Sequence, residues 1–205
     1  MSSIKWLGHS SVKIVTGKGV RIYIDPWELS SHAEAADIIL ITHPHYDHYS
    51  PFDIRKISDK NTAVFGPAVC AEKLGKRFTA VRPGEIIELE GVKIEMYPAY
   101  NIDKPYHKRE NDWMGFVIVA DSERVYISGD TDFIPEMKDI KCDTAVLAVG
   151  GKYTMNVDNA VAAAEAMRPR RVLPVHYGKI TGTSISGMQF KKKFSGRTII
   201  PETED

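Results

Sequence analysis

Residues 42–51 read THPHYDHYSP, and no other stretch limits the chain as much. Three of the seven histidines and one aspartate fall within six consecutive positions, 43 to 48. A polar surface loop has no need of that density. A metal site does, because imidazole nitrogens and carboxylate oxygens are the ordinary protein ligands of zinc and related divalent ions. In an extended segment, side chains two apart share a face. His43, His45 and Asp47 are therefore expected to converge on one point while Pro44 and Tyr46 face away, and Pro44 keeps His43 extended. His48 then serves a second point beside the first, so the run implies two adjacent metal positions.

The surrounding sequence shows what carries this run. Ile38-Ile39-Leu40-Ile41 is continuously apolar, as in a central strand buried on both faces, and it leads directly into His43. Upstream, Val20 to Ile24 alternates like a half-buried strand and stops at Asp25-Pro26. Downstream, Ser50 suits a helix cap, Pro51 suits the first helical position, and Asp53 is placed for the reciprocal capping contact. Strands are expected over Lys93–Tyr97, Gly115–Val119 and Val125–Ile127 as a meander. Ala145–Val149 and Val172–Val175 read as strands joined by a helix, in which Val157, Val161, Ala164 and Met167 recur at helical spacing. Gly187 to Phe194 reads as a last helix, with Lys191, Lys192 and Lys193 as its solvated end, followed by a strand at Thr198–Ile200. The sum is one α/β layered domain over residues 1–205 with two sheets in the middle.

Charge narrows the partners. The 27 basic and 27 acidic side chains cancel, which removes the broad positive field that non-specific nucleic-acid binding uses and favours a small-molecule substrate. The apolar runs are too short to span a bilayer, and residues 1–5 carry no apolar signal core, so the expected compartment is the cytoplasm. Cys70 and Cys142 have no C-x-x-C spacing and read as reduced core thiols rather than ligands. His32 reads as a surface residue. A homo-oligomer is compatible with all of this.

Two neighbouring cations need more ligands than the run supplies, and a bridging carboxylate to screen their repulsion. Asp130 follows the strand ending near Ser128, and His176 follows the strand ending at Val175. Both stand just past a strand end, as His43 does, and strand ends on one rim of a sheet are where chemistry gathers in α/β folds. Asp25 is placed to orient a ligating histidine, although turn formation before Pro26 explains it nearly as well. Gly150-Gly151 either lets the backbone approach the substrate or simply makes the turn.

Thr42-His43-Pro44-His45-Tyr46-Asp47-His48, Ser128-Gly129-Asp130-Thr131 and Pro174-Val175-His176-Tyr177-Gly178 together resemble the successive motifs of the metallo-β-lactamase fold superfamily. Leu7-Gly8-His9-Ser10-Ser11 and Ile24-Asp25-Pro26-Trp27 resemble one branch of it, which contains L-ascorbate 6-phosphate lactonase-like and N-acyl phosphatidylethanolamine phospholipase D-like proteins and many small hydrolases. The resemblance implies a four-layer αββα sandwich with a metal site at one edge of the two sheets. It also implies that His43 and His45 bind one metal, that Asp47, His48 and His176 bind the other, and that Asp130 bridges them. Where the superfamily carries Pro-Ala-x-His, this chain has Pro98-Ala99-Tyr100-Asn101. The missing ligand is expected from Asn101, from His107 in the polar loop 103–109, or from His9, which could equally orient a ligand or serve the local turn. His107 could equally be a solvated surface residue.

One or two divalent ions are expected, zinc first, with manganese, nickel or iron as alternatives. Such an ion makes hydroxide available at neutral pH, which implies hydrolysis of an ester, lactone or phosphodiester bond. Asp47 and His107 are the candidate catalytic groups, Asp47 as acceptor of the water proton. Lys104, Lys108 and Arg109 beside the metals would suit an anionic substrate. The alternatives are a nuclease or phosphodiesterase acting on nucleic acid, and a metal-binding module with little turnover, which the missing histidine would explain.

Overall fold

The computed structural model describes residues 2–74 and 78–200. Strands β1 (Ser3–Gly8), β2 (Ser11–Val15), β3 (Arg21–Ile24), β4 (Ile38–Leu40), β5 (Ala63–Gly66) and β6 (Phe78–Ala80) lie side by side in that order in one sheet. The second sheet runs from β7 (Ile86–Leu89) through β8 (Val92–Pro98), β9 (Met114–Ala120), β10 (Glu123–Ile127), β11 (Thr144–Ala148) and β12 (Arg171–Val175) to β13 (Arg197–Thr198), again in sequence order. The expected meander is β8, β9 and β10, paired antiparallel. The strand, helix, strand unit is β11 and β12, paired parallel around helix α3 (Val157–Met167). The final strand is shorter than expected. It pairs only through Arg197 and Thr198, after which Ile199 makes one further backbone bond to Val172.

Period-two alternation builds the layers. Ile22 and Ile24, Ile38 and Leu40, Phe116 and Ile118, Val146, Leu173 and Val175 point between the sheets into one shared core. Their neighbours Tyr23, Ile39 and Ile41 point outward, where Ile54 and Ile57 of helix α1 (Pro51–Ile57) cover them. On the other sheet Val117, Tyr126, Ala145, Leu147 and Val172 point outward to Ala160, Ala163, Ala164 and Met167 of α3, with Phe190 of helix α4 (Ser186–Lys193) beside them. The result is an αββα sandwich. A short helix α2 (Ala71–Leu74) joins the first outer layer's connections. Burial of each large aliphatic side chain in these layers is worth roughly 1.5–3 kcal/mol.

The start of α1 is as expected in one half only. Ser50 Oγ accepts from the Asp53 amide at 3.2 Å, but the Asp53 carboxylate does not return the contact to Ser50. It turns instead to the amides of Glu28 and Leu29, at 3.0 and 3.2 Å, and pins the β3–β4 connection. Among the described residues, no helix is long and apolar enough to cross a membrane.

β1, β3 and β4 point the same way in the first sheet, and β8, β10, β11 and β12 do so in the second. Their C-terminal ends meet along one edge of the sandwich. The sheets are tied there by the Met114 amide donating to the Thr42 carbonyl at 3.2 Å and the His176 amide donating to the His9 carbonyl at 2.8 Å.

Candidate metal centre

All the candidate ligands but His107, which lies in the loop between β8 and β9, stand just beyond one of these strand ends. His9 follows β1, His43 to His48 follow β4, Asp130 follows β10 and His176 follows β12. Three of the residues there take the left-handed backbone that side chains avoid: His9 at φ 47°, Asp25 at φ 48° and His176 at φ 60°. Such strain persists only where the surroundings hold it. At His9, the carbonyl is held by Trp6 Nε1 at 2.7 Å and by the His176 amide.

The donor atoms form two clusters and a link. His43, His45 and His107 present ring nitrogens within 4.8 Å of one another, and the ring nitrogens of His9, His48 and His176 gather within the same distance with a carboxylate oxygen of Asp47. The Asp130 carboxylate lies between them. Its Oδ1 is 3.3 Å from His48 Nε2 and 3.2 Å from His176 Nε2, while its Oδ2 is 3.5 Å from His107 Nε2 and 4.0 Å from His43 Nε2.

The expected convergence of His43, His45 and Asp47 does not occur. The chain turns at His45, whose carbonyl accepts from the amides of His48 and Tyr49 at 3.0 and 2.8 Å. The two-residue alternation ends there, and Asp47 swings to the second cluster, where its Oδ2 meets His9 Nε2 at 2.9 Å and His176 Nε2 at 3.5 Å. His107 is fully buried rather than solvated. Asn101 is not among the converging donors. Its side chain is occupied by the His107 amide and ring, and by the carbonyl of Tyr153.

The imidazoles are aimed by groups behind them. Asp25 Oδ2 accepts from His48 Nδ1 at 2.7 Å and from Thr42 Oγ1 at 2.7 Å, and Asp25 Oδ1 accepts from the Thr42 amide at 2.8 Å. Since the Thr42 hydroxyl proton goes to Asp25, its oxygen receives the Nδ1 proton of His43, at 2.9 Å. Both rings therefore turn Nε2 toward the centre, the usual device for orienting a metal-binding histidine. Thr42 and Trp113 went unassigned in the sequence. Thr42 was legible as part of the His run, but nothing marked Trp113, whose ring packs at 5.0 to 5.4 Å against His43, His45 and His107.

Electrostatics sort the rings. Burial lowers the pKa of His9, His43 and His45, and brings His107 down to about 4, so these rings are neutral at pH 7 and ready to donate a lone pair. Burial would do the same to His48, but Asp130 and Asp25 outweigh it and raise its pKa well above the ordinary value. Burial likewise favours a neutral Asp130, yet His176, His48 and His43 hold it well below the usual carboxylate range.

The residues fit a metal ion. His107 Nε2 and Asp130 Oδ1 are buried without a hydrogen-bond partner, in a setting where buried polar atoms almost always have one. Nitrogen and carboxylate donors without thiolate match zinc and its first-row neighbours.

Three basic residues expected to serve an anion are divided. Lys104 is bound to Asp132 and to the Thr154 carbonyl, and Arg109 to Glu136 at 3.0 Å. They brace the 101–111 loop, which leaves Lys108 exposed. Gly150 serves packing rather than substrate approach, because a Cβ there would lie 2.7 Å from the His176 carbonyl oxygen.

An αββα sandwich with two histidine-rich donor clusters on one edge and an aspartate between them defines a metallo-hydrolase of the β-lactamase type. Sequence comparison agrees. The profile of the β-lactamase superfamily domain matches residues 3–176. A UPF0173 metal-dependent hydrolase of Thermus thermophilus is 31% identical, the match covering 94% of this chain and 91% of the relative. A crystal structure described as a metal-dependent hydrolase from Parabacteroides distasonis is 35% identical, with TM-score 0.88 over 98% of this chain and 93% of that one. Igni18, a metallo hydrolase from the archaeon Ignicoccus hospitalis, is 25% identical with TM-score 0.83, covering 100% of this chain and 96% of its own. The chain belongs to the β-lactamase superfamily, as a metal-dependent hydrolase of the UPF0173 group.

Proposed function

We propose that this hydrolase works with a pair of divalent ions, zinc by preference. His43, His45 and His107 hold one, Asp47, His48 and His176 hold the other with His9 at its margin, and Asp130 joins the two. The observation that carries this reading is the division of the Asp130 carboxylate, one oxygen facing His48 and His176 and the other facing His107 and His43. A bridging carboxylate is what two adjacent cations require. When bound, such ions supply hydroxide at neutral pH by lowering the pKa of water to about 7, and take up charge that develops on a substrate oxygen.

The chain's own groups do the rest. Asp47 Oδ2 accepts the proton released as water attacks, and its 2.9 Å contact with His9 Nε2 keeps that carboxylate in place. Trp113 shields three of the histidines from bulk water. The scissile bond is an ester, lactone or phosphodiester of a small, anionic substrate. Lys108 supports the anion, since it is exposed beside His107 in the chain and, among the described residues, is paired with no carboxylate. The cytoplasm is the proposed location. With His107 as the third ligand, this reading leaves the absent third-motif histidine as no argument for a binding module without turnover.

The test is metal content by elemental analysis together with a panel of ester, lactone and phosphodiester substrates. Two ions per chain are expected, falling in Asp130→Asn, with hydrolysis of at least one substrate abolished by chelator and restored by zinc. Chelator-resistant hydrolysis, or no metal at saturation, would refute the proposal.

A further inference from the structure

The residue that stands where the superfamily has a histidine is a short amide, and the histidine six positions later is buried against it. Three hydrogen bonds join them. The Asn101 amide donates to the His107 carbonyl at 2.7 Å, and Asn101 Oδ1 accepts from the His107 amide at 3.2 Å and from His107 Nδ1 at 3.1 Å. The orientation of the side-chain amide is settled at its other end. Asn101 Nδ2 donates to the Tyr153 carbonyl at 2.9 Å, and a flipped amide would face that carbonyl and the His107 amide with the wrong groups. Oδ1 can only accept, so the proton of neutral His107 must sit on Nδ1. Its Nε2 lone pair is then free, and that atom is the one left buried without a partner, 3.5 Å from Asp130 Oδ2.

We propose that Asn101 is a positioning residue that locks His107 into the Nδ1–H tautomer, and so converts a histidine on a loop into a ligand as well aimed as those at strand ends. Asp25 and Thr42 do this for His48 and His43. Asn101 does it from the neighbouring loop turn, and through Tyr153 it also fastens that turn to the loop that follows β11. The proposal rests on the reading of His107 as a metal ligand, but the tautomer itself can be read without metal.

The experiment is long-range 1H–15N correlation spectroscopy of the histidine rings in metal-free protein, followed by zinc titration with elemental analysis. Wild type, N101A, N101D and H107A would be compared. In wild type and N101D, whose carboxylate can still accept from Nδ1, His107 is expected as the Nδ1–H form. In N101A the Nε2–H form should appear, with zinc affinity at one of the two positions weakened 10- to 100-fold, a typical effect of losing a group that orients a ligand. H107A should lose that position. An unchanged tautomer in N101A, or N101D binding zinc more tightly than wild type as a direct ligand would, overturns the proposal. Should N101A fail to fold, wild type decides alone, because an Nε2–H form of His107 there also overturns it. Failure of wild type to bind zinc would instead overturn the ligand reading, and the tautomer measurement would still decide the clamp.

Discussion

Replacing Asp25 tests how far the centre depends on groups that do not converge on it. Asp25 is 1% exposed, and its side chain accepts three hydrogen bonds of 2.7 to 2.8 Å, from the Thr42 amide, Thr42 Oγ1 and His48 Nδ1. Asp25→Asn keeps the shape and tolerates the left-handed φ of 48°. Its single oxygen can still serve Thr42, but its amino group then faces His48 Nδ1. A buried donor left unpaired costs about 1–3 kcal/mol, and relief by loss of the His48 Nδ1 proton leaves the ring's remaining proton on Nε2, the atom that faces Asp130. Asp25→Ala strands all three donors and adds the left-handed penalty, so its loss should reach about 3–5 kcal/mol, as when a buried charged partner is removed. For a chain of this length each kcal/mol moves Tm by about 2–4 °C. Urea and thermal unfolding of the metal-free protein should rank wild type above D25N above D25A, and zinc titration should show both variants weakened about 10- to 100-fold. If D25A loses under 1 kcal/mol and binds zinc normally, the orienting role is wrong.

Three further outcomes are expected. Glu95 is held to about 2, first by Arg124 and then by Lys93 against the opposing effect of burial, so its charged form stabilises the fold above the ordinary value of 4.5, and this is lost as pH falls toward 2. Glu95→Gln should therefore cost about 1–2 kcal/mol at pH 7, allowing for partial solvent screening, and nothing near pH 2; an equal cost at both would contradict this origin. Stripping metal with a chelator should lower Tm by roughly 5–10 °C, since an ion at 100 times its Kd contributes about 2.7 kcal/mol, and no shift at saturating zinc would argue against native-state binding. Gly150→Ala places a Cβ 2.7 Å from the His176 carbonyl oxygen and 2.8 Å from Thr181 Oγ1; it should destabilise by about 1–3 kcal/mol and weaken zinc binding with it, and wild-type values for both would mean that the loop simply yields.

Reading the sequence worked where one local rule decides the outcome. The uninterrupted Ile38 to Ile41 run, the Ser50-Pro51 cap and the spacing of Ala164 and Met167 each carry their own geometry, and the strands and helices appear there. Strands β5 and β6 have only four and three residues, too few for a period to show. The His run announced a metal site, but alternation could not foresee the turn at His45 that sends Asp47 to the other cluster. His107 and Asn101 were legible as candidates and not as roles. Whether a loop histidine is solvated or fully buried depends on how the 101–107 turn closes, and that closure is made by hydrogen bonds which spacing along the chain does not encode. Lys104 and Arg109 misled for a related reason: their acidic partners, Asp132 and Glu136, lie nearly thirty residues away.

The backbone ties from Met114 to Thr42 and from His176 to His9 place the centre on the seam between the sheets. His48 and His176, 128 residues apart, meet there at 3.1 Å. Neither sheet can assemble either the Asp47 cluster or the His107 cluster by itself. Until β12 is in place, the His run therefore lacks its partner His176 from the second sheet. An ion bound before then would meet only part of the donor set, so full loading would report that both halves have closed. The same arrangement makes a bound ion a rivet through the seam: a fluctuation that parts the sheets must release it, and hydrogen exchange at Met114 and His176 should slow when zinc is present.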